Sequence, residues 1–231
     1  MSKVHDLSFY LRKHGAFGLC WIALGRAWTK VFGQKEWLYV MDLANAEGSP
    51  GKDLDGLVLC GFRSEGELDA RVRGGMLRFK SDLGLQRFLE RWFGRGATLW
   101  VAERNGEVLG VQWTLERGIG GFYSVPVLKG EVVIVAVEVF PAYRGQGIYP
   151  WMAKALLPEL RKLGYKRAYL KVAARNYPML RSMAKTPYEK VAKVYTRGWA
   201  GKSLTVWDML PKDPACSPAD KARDLAYDSA G

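Results

Sequence analysis

At 231 residues, with 48% hydrophobic and 25% charged side chains, the chain is long enough to bury one sizeable core and too apolar to stay disordered. Three scattered cysteines, Cys20, Cys60 and Cys216, exclude a disulfide framework and a cysteine-rich zinc module, and two histidines, His5 and His14, leave little material for a histidine-based triad or metal centre. An excess of 35 Lys+Arg over 23 Asp+Glu, formally +12, favours an anionic partner: a nucleic acid, a phospholipid surface or a phosphorylated small molecule.

Residues 8–33 read as one helix, or two meeting near Gly15–Gly18, with Phe9, Leu11, Trp21, Ile22, Leu24, Trp28, Val31 and Phe32 interleaved with Arg12, Lys13, Arg26 and Lys30. Such a basic amphipathic segment suits a cover for the core or a homodimer interface, and equally a weak association with anionic lipid. Its most apolar run, Ala16–Gly25, is about half the ~20 residues needed to span a bilayer, so no transmembrane segment and no export are expected, and a cytoplasmic setting with reduced thiols follows. Trp37–Leu43 reads as a strand, Asn45–Asp55 as a loop, and Leu57–Phe62 as a second short apolar run. Ser64 with Glu67 resembles a capping box opening a helix to about Val72, and Ser81 or Asp82 can cap a second helix through Leu85, Phe88, Leu89 and Trp92.

The period then changes from 3.6 to 2. Thr98–Arg104 and Val108–Glu116 flank Asn105-Gly106, the pair that a two-residue type I′ hairpin turn prefers. Glu131–Phe140 (EVVIVAVEVF) is valine-rich enough to predict a central strand buried on both faces. A helix from about Gly147 to Leu163 follows, with Pro150 tolerated in its first turn and Pro158 expected to kink it or end it early. Lys166–Val172 is a further strand, so the unit predicts a right-handed crossover between parallel strands. Asn176–Lys185 reads as helical, Lys190–Arg197 and Ser203–Leu210 as a terminal strand pair, and Pro211–Gly231 as a flexible tail.

Chemistry concentrates at Arg144-Gly145-Gln146-Gly147-Ile148-Tyr149, between the valine-rich strand and the next helix. A helix start offers unpaired N–H groups and the positive end of the helix dipole, and two glycines remove side chains that would hold a phosphate off the backbone. Arg144 adds a permanent charge. The same letters also occur in plain turns where glycine only supplies positive φ. A dinucleotide fingerprint is absent, since its third glycine position is Pro150 and the next strand ends Lys171-Val172-Ala173, and no P-loop motif occurs.

Taken in order, strand, Val137-x-Val139-x-Pro141-x-x-Arg144-Gly145-x-Gly147-Ile148, helix, strand, Asn176, helix, strand, strand resembles the GNAT superfamily of N-acetyltransferases, whose turn reads Arg/Gln-x-x-Gly-x-Gly/Ala. The resemblance spans roughly Thr98–Leu210. It implies an α/β (α+β) acyl-CoA N-acyltransferase fold, a mixed central sheet with splayed parallel strands, covering residues 37–210 between an N-terminal amphipathic segment (1–36) and the tail (211–231). It implies transfer of an acetyl group from acetyl-CoA, the co-substrate, to a primary amine of a small molecule or peptide, with no metal. Backbone groups of Arg144, Gly145, Gln146, Gly147, Ile148 and Tyr149 would hold the pyrophosphate, main-chain groups of Val137 and Val139 the pantetheine, and the Val139 amide the developing oxyanion. Asn176 would bond the pantetheine or acceptor side, or simply cap its helix.

Glu138, flanked by valines, is the expected base, its burial pushing its proton affinity toward neutrality; the alternative is an ion pair with a Lys or Arg across the sheet. The last Gly/Ala of the turn is Tyr149, so its ring must point away from the phosphates or stack beside the ligand. The position where many relatives carry a thiolate-protonating tyrosine is Met183, leaving Ser182 and Tyr188 as candidate acids. Trp113, Tyr123 and Trp199 are candidates for the acceptor pocket or for plain packing, around residues 60–80, the loop 118–129 and the last strand pair. Two other readings compete: a long-chain N-acyltransferase of the same fold, resembling N-acyl amino acid synthases, and a non-catalytic basic module for nucleic acid or membrane, although no nucleic-acid reader motif occurs.

Overall fold

In the computed structural model, residues 34–45, 54, 56–116, 127–199 and 202–210 are described. The amphipathic segment 8–33, Tyr123 with most of its loop, and the tail 211–231 lie outside the described residues. Eight strands form one sheet: β1 (Gln34–Asp42), β2 (Leu57–Phe62), β3 (Thr98–Arg104), β4 (Glu107–Glu116), β5 (Glu131–Val139), β6 (Arg167–Ala173), β7 (Glu189–Trp199) and β8 (Lys202–Met209). Their spatial order is β2-β3-β4-β5-β6-β1-β7-β8, antiparallel throughout except for the parallel pair β5–β6.

Because side chains alternate across a strand, the sheet carries two cores. On one face Leu99, Val101, Val111, Trp113, Val133 and Val135 pack against the helices α1 (Ala70–Leu77) and α2 (Asp82–Phe93) through Val72, Met76, Leu85 and Leu89. On the other, Tyr39, Met41, Ile134, Leu170 and Val172 pack against α3 (Ile148–Lys162) and α4 (Tyr177–Met183) through Tyr149, Ala153, Leu156, Leu160 and Met183. Trp113, with no exposed surface, sits edge-on to Phe88 and Phe93, so it is core and not a pocket residue.

The hairpin turn is as predicted, with Asn105 at φ 53° and Gly106 at φ 78°, both positive as a type I′ turn requires. The capping box is local: Ser64 Oγ and the Arg63 amide both meet the Glu67 carboxylate, but they close only a 3-10 turn over Glu65–Glu67. α1 starts afresh at Ala70, where Asp69 accepts the Val72 N–H at 2.7 Å, so the single helix expected from Ser64 to Val72 is two pieces. Ser81, not Asp82, caps α2. Pro158 neither ends nor shortens α3, which runs to Lys162 because the fully buried Leu156, Leu157 and Leu160 hold its face on the sheet against the lost backbone bond.

The valine run is not buried along its whole length. Glu131–Val135 are buried and residues 136–139 are half-exposed. Two departures from regularity open this second half. Pairing with β6 extends only over Glu131–Ile134, opposite Arg167–Leu170. At Ala136, φ is 49° and the β4 register slips between Val111 and Trp113, the signature of a bulge, which re-aims the residues that follow it. The two parallel strands therefore part beyond Ile134, and the gap faces the start of α3.

Candidate active site

The strand-to-helix passage is built from local rules. Pro141–Tyr143 form one 3-10 turn, Gly145 (φ 80°) and Gly147 (φ 77°) take left-handed conformations that an L side chain resists, and Gly147 is the N-cap of α3. A Cβ at residue 145 would meet nothing within 4 Å, so the ribbon here borders open space. Helix geometry gives the amides of Gly147 and Ile148 no intrahelical acceptor. A cleft of about 620 Å³ lies against this turn and the parted end of β5.

Of the residues expected at the site, Val137, Glu138, Val139, Arg144, Gly145, Gly147, Ile148, Tyr149 and Asn176 all line that one cleft. Arg144 folds back at its mouth, its Nε donating to the Val139 carbonyl at 3.0 Å. Gln146 does not line the cleft; its side-chain amide donates to the Ala142 carbonyl, which leaves only its backbone for a ligand. Ile148 and Tyr149 contribute backbone and turn their side chains into the core. The Tyr149 ring points away from the turn and its hydroxyl donates to Met183 Sδ at 3.4 Å, which answers how a bulky residue fits the last position of the motif. Asn176 caps α4, its Oδ1 accepting the Met179 N–H, and it also lines the cleft.

Two expectations about acid–base groups are corrected. Glu138 is not sequestered among valines: the bulge turns it to the α1/α2 side, its side chain is 27% exposed, and its Oε2 lies 2.7 Å from Lys80 Nζ. The ion-pair alternative is therefore what forms, with a partner from the α1–α2 turn in place of a neighbouring strand. Tyr188 is 7% exposed, packed in the core beside Tyr149 and Met183, and is not among the cleft-lining residues. Ser182 does line the cleft, its hydroxyl donating to the Pro178 carbonyl. Trp199 is described by its backbone in β7 only. Tyr143, on the cleft wall, donates its phenol to the Glu107 carboxylate; that bond first, then burial, raises its pKa and keeps it neutral.

The sequence reading missed Lys80, Arg181 and Lys185. The last two, four apart after the Asn176-Tyr177-Pro178 start of a short helix, share a face with Pro178 and Ser182 and line the cleft. Among the described residues they give it, with Arg144, three cations, while the one lining carboxylate among them, Glu138, is already paired with Lys80. Such a cleft suits an extended polyanion with an apolar arm lying beside the open strand. No described helix is long and apolar enough to cross a membrane.

A mixed sheet that parts between two parallel strands, over a glycine-built helix start, is the fold that the motif's resemblance implied. Residues 73–185 match the model of the Acetyltransferase (GNAT) family. Among curated proteins, none matches the sequence. Similar solved structures include a GCN5-related N-acetyltransferase from Sphaerobacter thermophilus (12% identity, TM-score 0.47, 76% of this chain and 51% of that one). A GNAT-family acetyltransferase from Colwellia psychrerythraea matches at 13% identity and TM-score 0.46, over 84% of this chain and 62% of that one. A functionally unknown conserved protein from Staphylococcus epidermidis matches at 12% and 0.48, over 69% and 59%. The chain thus spans less than two thirds of each of these structures.

Proposed function

We propose that the protein is an N-acyltransferase that moves an acetyl group from acetyl-CoA to a primary amine by direct attack. The observation that carries this reading is the cleft itself, in which the parted edge of β5 and the amide-rich start of α3 lie together with Arg144, Arg181 and Lys185. Acetyl-CoA supplies an acyl group activated as a thioester. Backbone amides around Gly145–Ile148 and the three cations hold its phosphates, and main-chain groups of Val137 and Val139 take the pantetheine arm as an added strand. The Val139 amide supports charge on the thioester oxygen.

Glu138 receives the acceptor ammonium. The new N–C bond forms as the C–S bond breaks; of the two protons the nitrogen gives up, one reaches solvent by way of Glu138 and the other ends on the thiol. Met183 cannot supply that second proton, so Ser182 or water does so in this scheme. The cleft supports this enzymatic reading, whereas a long-chain donor or a nucleic-acid or membrane module rests on residues 8–33 and on net charge. The test is a melting scan with acetyl-CoA paired with thiol release in the presence of an amine panel. A ligand-dependent rise in melting temperature with amine-dependent thiol release is expected; no response to any coenzyme A thioester would refute the proposal.

A further inference from the structure

Lys80 stands in the turn between α1 and α2, and the turn is pinned to the end of β5. Phe79 stacks on Phe140 at 3.9 Å between centroids, Lys80 Nζ lies 2.7 Å from Glu138 Oε2, and the same ammonium sits 4.4 Å above the Phe88 ring. Side-chain exposure is 17% for Lys80 and 27% for Glu138, so the pair is largely desolvated without being sealed from solvent. Glu138 lines the cleft and Lys80 lies just behind it, on the side of the sheet opposite α3 and α4.

This pairing constrains what can arrive. An acceptor that carries only an ammonium must approach Glu138 beside a like charge already bonded to it, and like charges brought together in a partly desolvated site repel strongly. An acceptor that also carries a carboxylate removes the conflict: its carboxylate takes Lys80, its ammonium takes Glu138, and all four charges are paired. Among the described residues the surroundings fit a monoanion better than a phosphate, since Lys80 supplies a single ammonium at the pair and the phenyl rings of Phe79, Phe88 and Phe140 flank the rest. We propose that the acceptor is an amino acid, with ammonium and carboxylate on the same or neighbouring carbons, and that Lys80 is the residue that selects it.

This inference rests on the acyltransferase reading above and names its acceptor class. The experiment compares matched trios at saturating acetyl-CoA: an amino acid, its carboxamide, and the amine lacking the carboxyl group, for apolar, acidic and basic side chains. The wild type is expected to favour the free acid by about tenfold or more in kcat/KM. Lys80→Gln is expected to erase that preference by raising KM for the acids and lowering it for the carboxamides and plain amines, which no longer meet a like charge at Glu138, and Lys80→Arg to retain it. Equal rates across each trio, or a Lys80→Gln variant that loses all three substrates in proportion, would overturn the inference. In parallel, calorimetry of each trio into the CoA-saturated protein gives a readout free of turnover: heat from the acids and not from the carboxamides supports the selection, and heat from none overturns it. Coenzyme A titration separates the two levels, because a chain that binds coenzyme A yet treats the trios alike fails only here, while one that ignores coenzyme A fails both.

Discussion

Charge reversal at Arg144 tests the cleft most directly. The side chain is exposed at the mouth, tethered by one hydrogen bond to the Val139 carbonyl at 3.0 Å. A guanidinium about 5 Å from a phosphate charge in water-like surroundings gains roughly 0.8 kcal/mol. Against a diphosphate of about two charges, Arg144→Glu therefore costs roughly 3 kcal/mol, or about two hundredfold in Kd, and Arg144→Gln about half that energy. Acetyl-CoA at a hundred times its Kd stabilises the wild type by about 2.7 kcal/mol, which for a domain of this size is a rise of roughly 5 to 10 °C. At the same concentration Arg144→Glu should show a rise below about 1 °C and Arg144→Gln an intermediate one, measured by differential scanning fluorimetry in about 0.1 M salt. Without ligand both variants should melt only a few degrees lower, since one exposed hydrogen bond is worth about 1 kcal/mol. If Arg144→Glu keeps the full response, no phosphate lies at this turn and the placement of the ligand is wrong.

Gly147→Ala forces an L side chain into φ 77° at the N-cap of α3, which should cost about 1 to 2 kcal/mol and lower the melting temperature by several degrees, with a further loss of acetyl-CoA affinity; an unchanged melting curve would contradict the turn geometry. Replacing Arg181 and Lys185 together by Glu should weaken acetyl-CoA binding by about tenfold or more and flatten its salt dependence, which calorimetry at two ionic strengths reads; an unaltered salt dependence would remove both from the phosphate site. The Asp69 carboxyl is held below its ordinary range, first by the Val72 N–H and then by Arg71. Its contribution to stability is therefore present above the unfolded carboxyl pKa of about 3.9 and disappears as pH falls through the lower folded value. Asp69→Asn should flatten the acid limb of melting temperature against pH, and a limb unchanged between about pH 2 and 5 would refute the assignment.

Much of this protein is legible locally. The Asn105-Gly106 turn, the Ser81 cap, the valine-rich strand and the glycine-bounded start of α3 each follow from a few neighbouring residues whose backbone preferences and periodicity agree. The same locality explains why Arg144, Gly145, Gly147, Ile148, Tyr149 and the cap Asn176, expected together from the motif, line one cleft, whereas Gln146 turns its side chain to the Ala142 carbonyl. It also explains the misses. Tyr188 and Ser182 look equivalent along the chain, and only packing buries the first and leaves the second on the cleft wall. Pro158 is a breaker by local rules and is overruled by three buried leucines.

What the sequence alone determined is the set of pieces: strands by alternation, helices by caps and apolar spacing, and an anion-binding turn by glycine and arginine. What only the tertiary structure decided is how distant pieces meet. β1, from the N-terminal part of the chain, enters the sheet between β6 and β7, and its pairing registers join residues more than a hundred positions apart. The bulge at Ala136 reverses which side Glu138 faces, and the α1–α2 turn then brings Lys80 to it across 58 positions. Backbone propensity acts over a few residues, while strand pairing and charge pairing depend on which surfaces the whole core leaves adjacent. The motif could therefore announce the phosphate end of the site, and only the folded chain could present the pair that greets the acceptor.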